Sequence, residues 1–313
     1  MKAERLVINA KGDERTIRYI PENYPPNTIV LPDKKEVRID WRRNFDRLKA
    51  ISEIIKSGEI TQEEGDYNAR IDNPNCPYIM GVVFSDAHIG AYTSDHQLIQ
   101  DLLEITLQEP NTFLLDDGDT FNNGIWGGLQ FEDTFPPYMQ AFTIKDIGRE
   151  LGEKYGAMVI GNHPEWMFRA AGVHPEYLFY EQVKGPIFAG MGLLHLQAGG
   201  QKYDIAMAHT YWGKSKLNIH NVCRNLRQQE YPDADVFIVG HEHIWGHMKE
   251  MVSGREVLNL RPGTGKTEDR YARIHGIAKR GQKMGLGILF RTDKKWFNAM
   301  PIADCLDLLH LYK

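Results

Sequence analysis

The sequence has little cysteine and no excess of positive charge, and each of these absences excludes a class of protein. Cys76, Cys223 and Cys305 lie far apart and form no CxxC pair, so neither a disulfide framework nor a cysteine zinc site is indicated. We expect three reduced thiols. The formal net charge of −5 excludes a protein that coats nucleic acid through overall positive charge, although a local basic patch is still allowed.

Long apolar runs are also absent. None approaches the roughly 20 residues that cross a bilayer, and the N-terminal segment MKAERLVINAKGDER lacks the apolar core of a secretory signal. We therefore expect a cytoplasmic protein with no membrane partner. Hydrophobic residues make up 42% and charged residues 25% of the chain, which are ordinary globular proportions.

Two regions of different texture follow one another along the chain. In residues 1–75 the segments RLVINA and RTIRYI alternate around KGDE as in a hairpin, and apolar residues recur at helical spacing from Phe45 to Ile55. We interpret this region as a small accessory domain. From Tyr78 onward, short apolar runs alternate with amphipathic stretches such as HQLIQDLLEITLQ, which is typical of an α/β fold. The main domain is predicted to span residues 76–313.

Polar side chains follow five of the predicted strands, in the segments SDAHIG, DDGDTF, GNHPE, AHTYWG and GHEHIWG. Because ligands bind beyond the carboxyl ends of strands in open α/β sheets, clusters that are distant in the chain can converge there. Carboxylate, imidazole and amide donors suit divalent metals, and a carboxylate can bridge two of them. The candidate ligands are Asp86, His88, Asp119, Asn162, His209, His241 and His243.

The motif order DxH, GD, GNH, H and GHxH resembles the calcineurin-like metallophosphoesterase superfamily over about residues 78–292. The resemblance implies a four-layer α/β/β/α sandwich, with two mixed sheets flanked by helices. It also implies two divalent ions, for which Mn is our first expectation and Fe, Zn or Ni are alternatives. One ion would be held by Asp86, His88, Asp119 and His243, and the other by Asp119, Asn162, His209 and His241.

The same resemblance implies a mechanism. A hydroxide that bridges the two ions attacks phosphorus directly, and no covalent enzyme intermediate forms. Asp119 is the bridging ligand in this interpretation. His163, the histidine of GNH, protonates the leaving oxygen or stabilises the charge of the transition state. The predicted catalytic residues are therefore His163 and Asp119.

The substrate class is less sharply indicated than the chemistry. The segments GDTFNNG and GNHPEW depart from the pattern of the family's protein phosphatases. The stretch from ADVFIVGHEHIWG to Tyr271 resembles phosphoesterases of bacteriophages and prophages, with a core like that of SbcD-type DNA exonucleases. We expect a phosphodiester of nucleic acid, DNA or RNA, or of a nucleotide. A phosphomonoesterase or protein phosphatase, and a non-catalytic metal-binding scaffold of the same fold, remain as alternatives.

Two further segments are candidates for substrate contacts. Residues 255–283 contain eight Lys or Arg residues against three Asp or Glu residues, and Arg261, Lys266 and Arg270 are predicted phosphate contacts; the alternative is a solvated loop. Aromatic side chains after Asp119 either stack on a base or pack a loop over the site. These aromatics are Phe121, Trp126, Phe131, Phe135 and Tyr138. The sequence leaves the oligomeric state open.

Overall fold

The computed structural model divides the chain into two compact units, Met1–Lys56 and Ser57–Lys313. It describes residues 64–125, 131–134, 136–171, 182–215, 217–267 and 283–312, together with four short strands in the first unit. There β1 (Val7–Ile8) pairs antiparallel with β2 (Glu14–Arg15), and β3 (Thr28–Val30) pairs antiparallel with β4 (Glu36–Arg38). The helix predicted from Phe45 to Ile55 lies outside the described residues.

Two six-stranded mixed sheets form the second unit. The first, sheet I, consists of β6 (Tyr78–Phe84), β7 (Thr112–Asp116), β8 (Tyr155–Val159), β9 (Ile187–Phe188), β15 (Leu286–Arg291) and β16 (Phe297–Pro301). Their spatial order is β16-β15-β6-β7-β8-β9. Strands β6 to β9 run parallel, whereas β15 pairs antiparallel with both β6 and β16.

The second, sheet II, consists of β5 (Glu64–Asn68), β10 (Met191–Ala198), β11 (Gln201–Ala208), β12 (Val236–Val239), β13 (Trp245–Val252) and β14 (Arg255–Pro262). Their order is β13-β14-β12-β11-β10-β5. Strands β11, β12 and β14 are mutually parallel neighbours, while β10–β11 and β13–β14 are antiparallel pairs.

Helices flank the two sheets. They are α1 (His96–Gln108), α2 (Pro137–Leu151), α3 (Asn162–Ala171), α4 (Asn221–Gln229) and α5 (Ile302–His310). Helix α1 packs on β6 and β7, α5 packs on β15 and β16, and α4 packs on β12 and β14. The α/β class with two mixed sheets between helices, which the motifs imply, is therefore confirmed.

Period-two alternation along the strands builds the core. Val236 and Ile238 of β12 face the core between the two sheets, whereas Phe237 and Val239 face α4. On sheet I, Phe113 of β7 points into the same inter-sheet core. Strands that are buried on both faces read as continuous apolar runs, and these strands were accordingly visible in the sequence.

The strand β5 lies within the stretch that the sequence assigned to the accessory region, yet it pairs parallel with β10 at the edge of sheet II. Its segment EGDYN is polar and buries only Tyr67, because an edge strand has few apolar contacts to make. The sheet thus takes in a strand before residue 75. Whether residues 1–75 act as a separate domain stays a prediction.

Cys76, Cys223 and Cys305 are buried and form no disulfide. Among the described residues, none of the helices combines the length and the apolarity that crossing a bilayer requires.

Candidate metal centre

The seven predicted ligands come together at one edge of the two sheets. Three ligand-bearing loops follow the parallel neighbours β6, β7 and β8 of sheet I, and two follow the parallel neighbours β11 and β12 of sheet II. Parallel neighbours end on the same side of their sheet, so the five loops meet. This shared edge explains how side chains more than a hundred residues apart form one site.

Asp86, His88 and His243 form the first group of donor atoms. The Nε2 atoms of the two histidines lie 3.2 Å apart, and His243 Nε2 lies 3.4 Å from Asp86 Oδ1. Asp86 Oδ1 is buried and has no hydrogen-bond partner. The other oxygen, Oδ2, accepts hydrogen bonds from Ser85 Oγ and from the backbone N–H of His241. The carboxylate is therefore held by one oxygen and offers the other to the group.

Asp119, His209 and His241 form a second group. His209 Nε2 lies 3.0 Å from Asp119 Oδ2 and 3.1 Å from Asn162 Oδ1, while its Nδ1 donates to the backbone carbonyl of Asp117 at 2.7 Å. That carbonyl fixes the tautomer in which Nε2 faces the group, as metal-binding histidines require.

A third group, His88, Asp119 and His163, connects the other two. It shares His88 with the first group and Asp119 with the second. Asp119 thus lies between two sets of donors, which is the position that a bridging carboxylate needs. This placement agrees with the bridging role that the motif order implies for Asp119, and that role stays a prediction.

The donor chemistry fits divalent cations. Ligand atoms roughly 2.0–2.2 Å from one ion lie about 3.0–3.4 Å from each other in tetrahedral or octahedral coordination. The contacts of 3.2 and 3.4 Å in the first group and of 3.0 and 3.1 Å in the second fall in this range. The Nε2 atoms of His88 and His243 face each other beside Asp86 Oδ1, which has no hydrogen-bond partner. A cation placed among these three atoms would give each of them a partner. The residues therefore fit a pair of metal ions.

The glycines of the motifs permit the close approach of the loops. A Cβ on Gly161 would lie 2.1 Å from Asp119 Oδ1, and one on Gly240 would lie 2.4 Å from Ser85 Oγ and 2.9 Å from Asp86 Oδ2. Gly118 adopts a φ of +95°, and its Cβ would lie 2.8 Å from His209 Nδ1. Any larger residue at these positions would push the ligand-bearing loops apart.

The backbone at the site is strained. Five of the predicted ligands adopt positive φ values between 48° and 69°, a region that non-glycine residues seldom occupy. Each such residue costs on the order of 1–3 kcal/mol, which the surrounding structure has to offset. The five are Asp86, His88, Asp119, His241 and His243. The strain is therefore concentrated in the loops that carry the predicted ligands.

The electrostatics of the site favour anionic carboxylates. Burial alone would raise the pKa of Asp119, but the charges of His209 and His163 hold it well below the usual range. Burial would likewise lower the pKa of His209, yet the charge and the hydrogen bond of Asp119 raise it to about 10. Each of the two side chains thus favours the charged form of the other.

His163 lies between the donor groups and is fixed by its surroundings. Its Nδ1 donates to the carbonyl of Asn122, its backbone N–H donates to Asp119 Oδ1 at 2.9 Å, and its carbonyl accepts from Asn123 Nδ2 at 2.6 Å. The ring packs against Trp166 with centroids 4.0 Å apart. With Nδ1 occupied, Nε2 is left to face the group, 3.8 Å from Asp119 Oδ2.

The structure places two of the three predicted phosphate contacts inside the protein. Arg261 is 1% exposed and donates to the carbonyls of Gly240 and Ile219 and to Glu242 Oε2. Lys266 pairs with the buried Glu132 at 2.8 Å. Arg270 lies outside the described residues. Substrate contact by these three stays a prediction, whereas the structural role of Arg261 in holding the histidine loop is evident.

The predicted aromatic residues separate into two kinds. Phe121 is fully buried, which favours packing over stacking for that ring. Phe131 and Tyr138 are 67% and 61% exposed. Trp126 and Phe135 lie outside the described residues.

Three carboxyl groups near the site were missed in the sequence. Asp117 is buried beside Gly240 with neither oxygen hydrogen-bonded. Burial keeps its pKa well above the usual range, although the charge of His209 opposes this shift. The doubled acid in DDGD was a signal for it. Glu242, between His241 and His243, was visible in GHEH, but Glu132 carried no signal because its partner Lys266 is distant in the chain.

No family model and no curated protein matches the chain. Among solved structures, a predicted phosphoesterase from Streptococcus pneumoniae matches with 13% identity and a TM-score of 0.34, over 72% of this chain and 91% of that chain. A metallophosphoesterase from Sphaerobacter thermophilus matches with 14% identity and a TM-score of 0.37, over 74% and 94%. Vps29 of Entamoeba histolytica with zinc matches with 12% identity and a TM-score of 0.34, over 72% and 99%. Likenesses this distant carry no functional conclusion.

Proposed function

We propose that this protein is a phosphoesterase that uses two divalent metal ions to hydrolyse phosphodiester bonds of nucleic acid or nucleotides. The observation that carries the proposal is the convergence of five strand-end loops from two sheets on overlapping donor groups that share His88 and Asp119. A pair of cations held in this way is the arrangement that serves in-line displacement at phosphorus.

The two ions, when bound, supply Lewis acidity that activates a water molecule and stabilises charge on the phosphoryl oxygens. The chain's own residues do the rest. Asp86, Asp119 and Asn162 supply oxygen donors, and the histidines supply ring nitrogens. The tautomer of His209 is set by its hydrogen bond to the backbone carbonyl of Asp117. Because the donors come from rigid strand ends, little reorganisation is needed during the reaction.

His163 is the proposed general acid. Its Nδ1–H is held by the carbonyl of Asn122, so its Nε2 is the atom that can carry a proton to the leaving oxygen or donate to a phosphoryl oxygen. Loss of this imidazole should lower the rate by roughly 10²–10⁴-fold. Binding of the metals by the other donors should remain.

Mn is the metal we propose to test first, because a set of carboxylates, imidazoles and one amide without thiolate suits Mn, with Fe, Zn and Ni as alternatives. The diester preference and a cytoplasmic location are parts of the proposal. The competing functions, a phosphomonoesterase and a non-catalytic scaffold, share the same metal centre, so metal binding alone does not separate them.

The test is hydrolysis of bis-p-nitrophenyl phosphate and of p-nitrophenyl phosphate by metal-stripped protein resupplied with Mn, for wild type and for His163→Ala. We expect diester turnover that requires Mn and falls by the stated factor in the variant, with unchanged bound metal. His310→Ala is the matched control, because His310 is exposed and its ion-pair partner among the described residues is Glu109 on the surface.

Faster hydrolysis of the monoester than of the diester would show that the protein is a phosphomonoesterase rather than a phosphodiesterase. Metal binding without turnover of either ester would support the scaffold. Full activity of His163→Ala would show that His163 is not the general acid.

A further inference from the structure

The segment Tyr211–Lys214, which follows the predicted ligand His209, is fixed against helix α4. Asn221 Nδ2 donates to the carbonyl of Gly213 at 2.8 Å, and Asn225 Nδ2 donates to the carbonyl of Trp212 at 3.3 Å. Gly213 has a φ of +94°, and a Cβ on it would lie 1.8 Å from Asn225 Nδ2. Two asparagines one helical turn apart therefore hold a backbone shape that requires glycine.

This segment lies beside the metal centre. Trp212 is three residues from His209, which limits the distance between their Cα atoms to about 10–11 Å. Farther along, the carbonyl of Ile219 accepts from Arg261, whose other nitrogen donates to the carbonyl of Gly240 in the histidine loop. Arg261 thus links the segment before α4 to the loop that carries the predicted ligand His241.

Two side chains of the fixed segment project outward. The indole of Trp212 is 59% exposed and contacts Tyr211 with ring centroids 6.0 Å apart. Lys214 is exposed as well. Lys214 lies two residues after Trp212 in the same segment and five residues after His209, which limits the distance between the Cα atoms of Lys214 and His209 to roughly 17–18 Å.

A large exposed indole on a fixed backbone calls for an explanation. Exposure costs solvation free energy that a mobile polar residue would avoid. The contact with Tyr211 does not account for the exposed position of the Trp212 indole, because Tyr211 is held by its own hydrogen bond of 2.7 Å to Glu230. A planar aromatic face beside a cation and a phosphoester site has the chemistry of a surface on which a nucleobase stacks.

We propose that Trp212 and Lys214 form the substrate-binding surface of this site, with Trp212 stacking on a nucleobase and Lys214 contacting the phosphate attached to that nucleoside. The inference rests on the proposed function and narrows its substrate to phosphoesters that carry a base. Trp212 contacts no reacting atom and therefore determines specificity for the base. Lys214 contacts the phosphate that is common to all esters and therefore contributes to substrate affinity rather than to selection of the base.

The experiment compares two diesters with the same leaving group, thymidine 5′-(p-nitrophenyl phosphate) and methyl p-nitrophenyl phosphate, with Mn-loaded full-length protein. Base stacking is worth about 1–3 kcal/mol, so Trp212→Leu should lower kcat/KM for the thymidine ester by roughly 5–150-fold. The methyl ester should change less than about twofold. Trp212→Phe should recover most of the loss, because a phenyl ring still stacks.

Met251→Ala is the matched control for loss of exposed apolar surface. Met251 is 66% exposed and lies six residues along β13 from Trp245, about 20 Å from the end of that strand nearest the site. The Met251→Ala variant should hydrolyse both esters with the kcat/KM of the wild type. Equal effects of Trp212→Leu on the two esters would overturn the inference while leaving the proposed function in place.

A binding measurement separates failure of the inference from failure of the proposed function. Calorimetric titration of Mn-loaded protein with thymidine 5′-monophosphate and with methyl phosphate should show tighter binding of the nucleotide, and Trp212→Leu should remove the difference. If neither ester is hydrolysed but this binding contrast is present, the proposed hydrolysis fails, and Trp212 is part of a nucleotide-binding surface rather than of a substrate site. Equal binding of the two phosphates by wild type would overturn the inference.

Lys214 has its own signature. Lys214→Gln should raise KM for both esters several-fold at low salt, and the effect should shrink as ionic strength rises, because an exposed cation attracts phosphate through screened charge. Lys214→Arg should preserve the wild-type salt dependence. A salt profile of Lys214→Gln identical to that of wild type would exclude the phosphate contact.

Discussion

At the scale of single residues, Asp119 occupies the decisive position. One of its oxygens accepts from the backbone of His163 and the other lies 3.0 Å from His209, while its backbone adopts a left-handed φ of 51°. The residue is thus fixed in direction before any cation binds. Asp86 is fixed in the same manner by Ser85 and the backbone of His241.

We predict that Asp119→Asn loses bound Mn and lowers diester turnover on the order of a thousandfold, because a neutral amide cannot bridge two cations and several kcal/mol of transition-state stabilisation is lost. Metal content by plasma mass spectrometry and turnover of bis-p-nitrophenyl phosphate check it. Asp101→Asn is the control, since Asp101 lies exposed on α1 and accepts a hydrogen bond from the neighbouring Gln97. Two bound ions and full activity in Asp119→Asn would disprove the bridging role.

Some residues of the candidate site could be predicted from the sequence, and others could not. The seven metal-compatible side chains could be predicted because each follows an apolar strand and belongs to a short motif. Glu132 could not, since its importance arises from burial against Lys266 across 134 residues. The inward placement of Arg261 was also hidden, because a basic residue in a glycine-rich segment reads as exposed until its three carbonyl and carboxylate acceptors are known.

At the scale of elements, the loop between β12 and β13 carries two predicted ligands and depends on close contact with the loop after β6. Gly240 is the point of contact. Its missing Cβ leaves room for Ser85 and Asp86, which would otherwise lie at 2.4 and 2.9 Å.

Gly240→Ala should therefore weaken metal binding by roughly 10–100-fold, the effect typical of disturbing groups that orient metal ligands. Mn titration followed by calorimetry measures this change. Gly200→Ala should bind as wild type does, because the nearest atom to its added Cβ is Thr292 O at 3.5 Å. Unchanged affinity in Gly240→Ala would show that the two loops do not have to touch.

The contact between α4 and the β13–β14 hairpin depends on Glu250. This carboxylate accepts hydrogen bonds from Arg224, Arg227 and Asn259. Burial would raise the pKa of Glu250, but the hydrogen bonds from these three groups lower it to about 2. A depressed carboxyl pKa contributes stability that is complete above the unfolded value, about 4.3. That contribution is lost as the pH falls toward the folded value.

We accordingly expect the stability difference between wild type and Glu250→Gln, measured by urea unfolding of metal-free protein, to be constant from pH 7 to about 5. It should shrink between pH 4.3 and about 2, the folded pKa of Glu250. Glu104→Gln, at an exposed position on α1 where Glu104 accepts from Gln100, should show no such trend. A Glu250→Gln difference that does not change with pH would exclude the ionised carboxylate as the stabilising form.

Most elements near the site could be predicted, and the reason is burial. The helix α1 has the bounds of the amphipathic stretch HQLIQDLLEITLQ, because its apolar residues recur at helical spacing. The strands β5 and β13, at the two edges of sheet II, were not predicted. β5 is polar, and β13 presents alternately exposed residues such as Met251, so neither carries the apolar run that identifies a central strand.

At the scale of the whole molecule, each of the two sheets contains a run of parallel neighbouring strands, and five strand ends from these runs carry the predicted ligands. The motif order implied this fold, but the contact between the two sheets could not be derived from local pattern, because it depends on side chains that meet across the core. Tyr203 of β11 illustrates this, since it packs on Phe290 of sheet I with centroids 4.9 Å apart.

The central claim is that this edge binds two cations that act together in phosphodiester hydrolysis. The most direct test is a titration of metal-stripped protein with Mn in which bound metal and turnover of bis-p-nitrophenyl phosphate are measured on the same samples. We predict that activity rises chiefly with the second equivalent and reaches its plateau at two bound ions per chain. A plateau at one ion, or turnover by metal-free protein, would contradict the account.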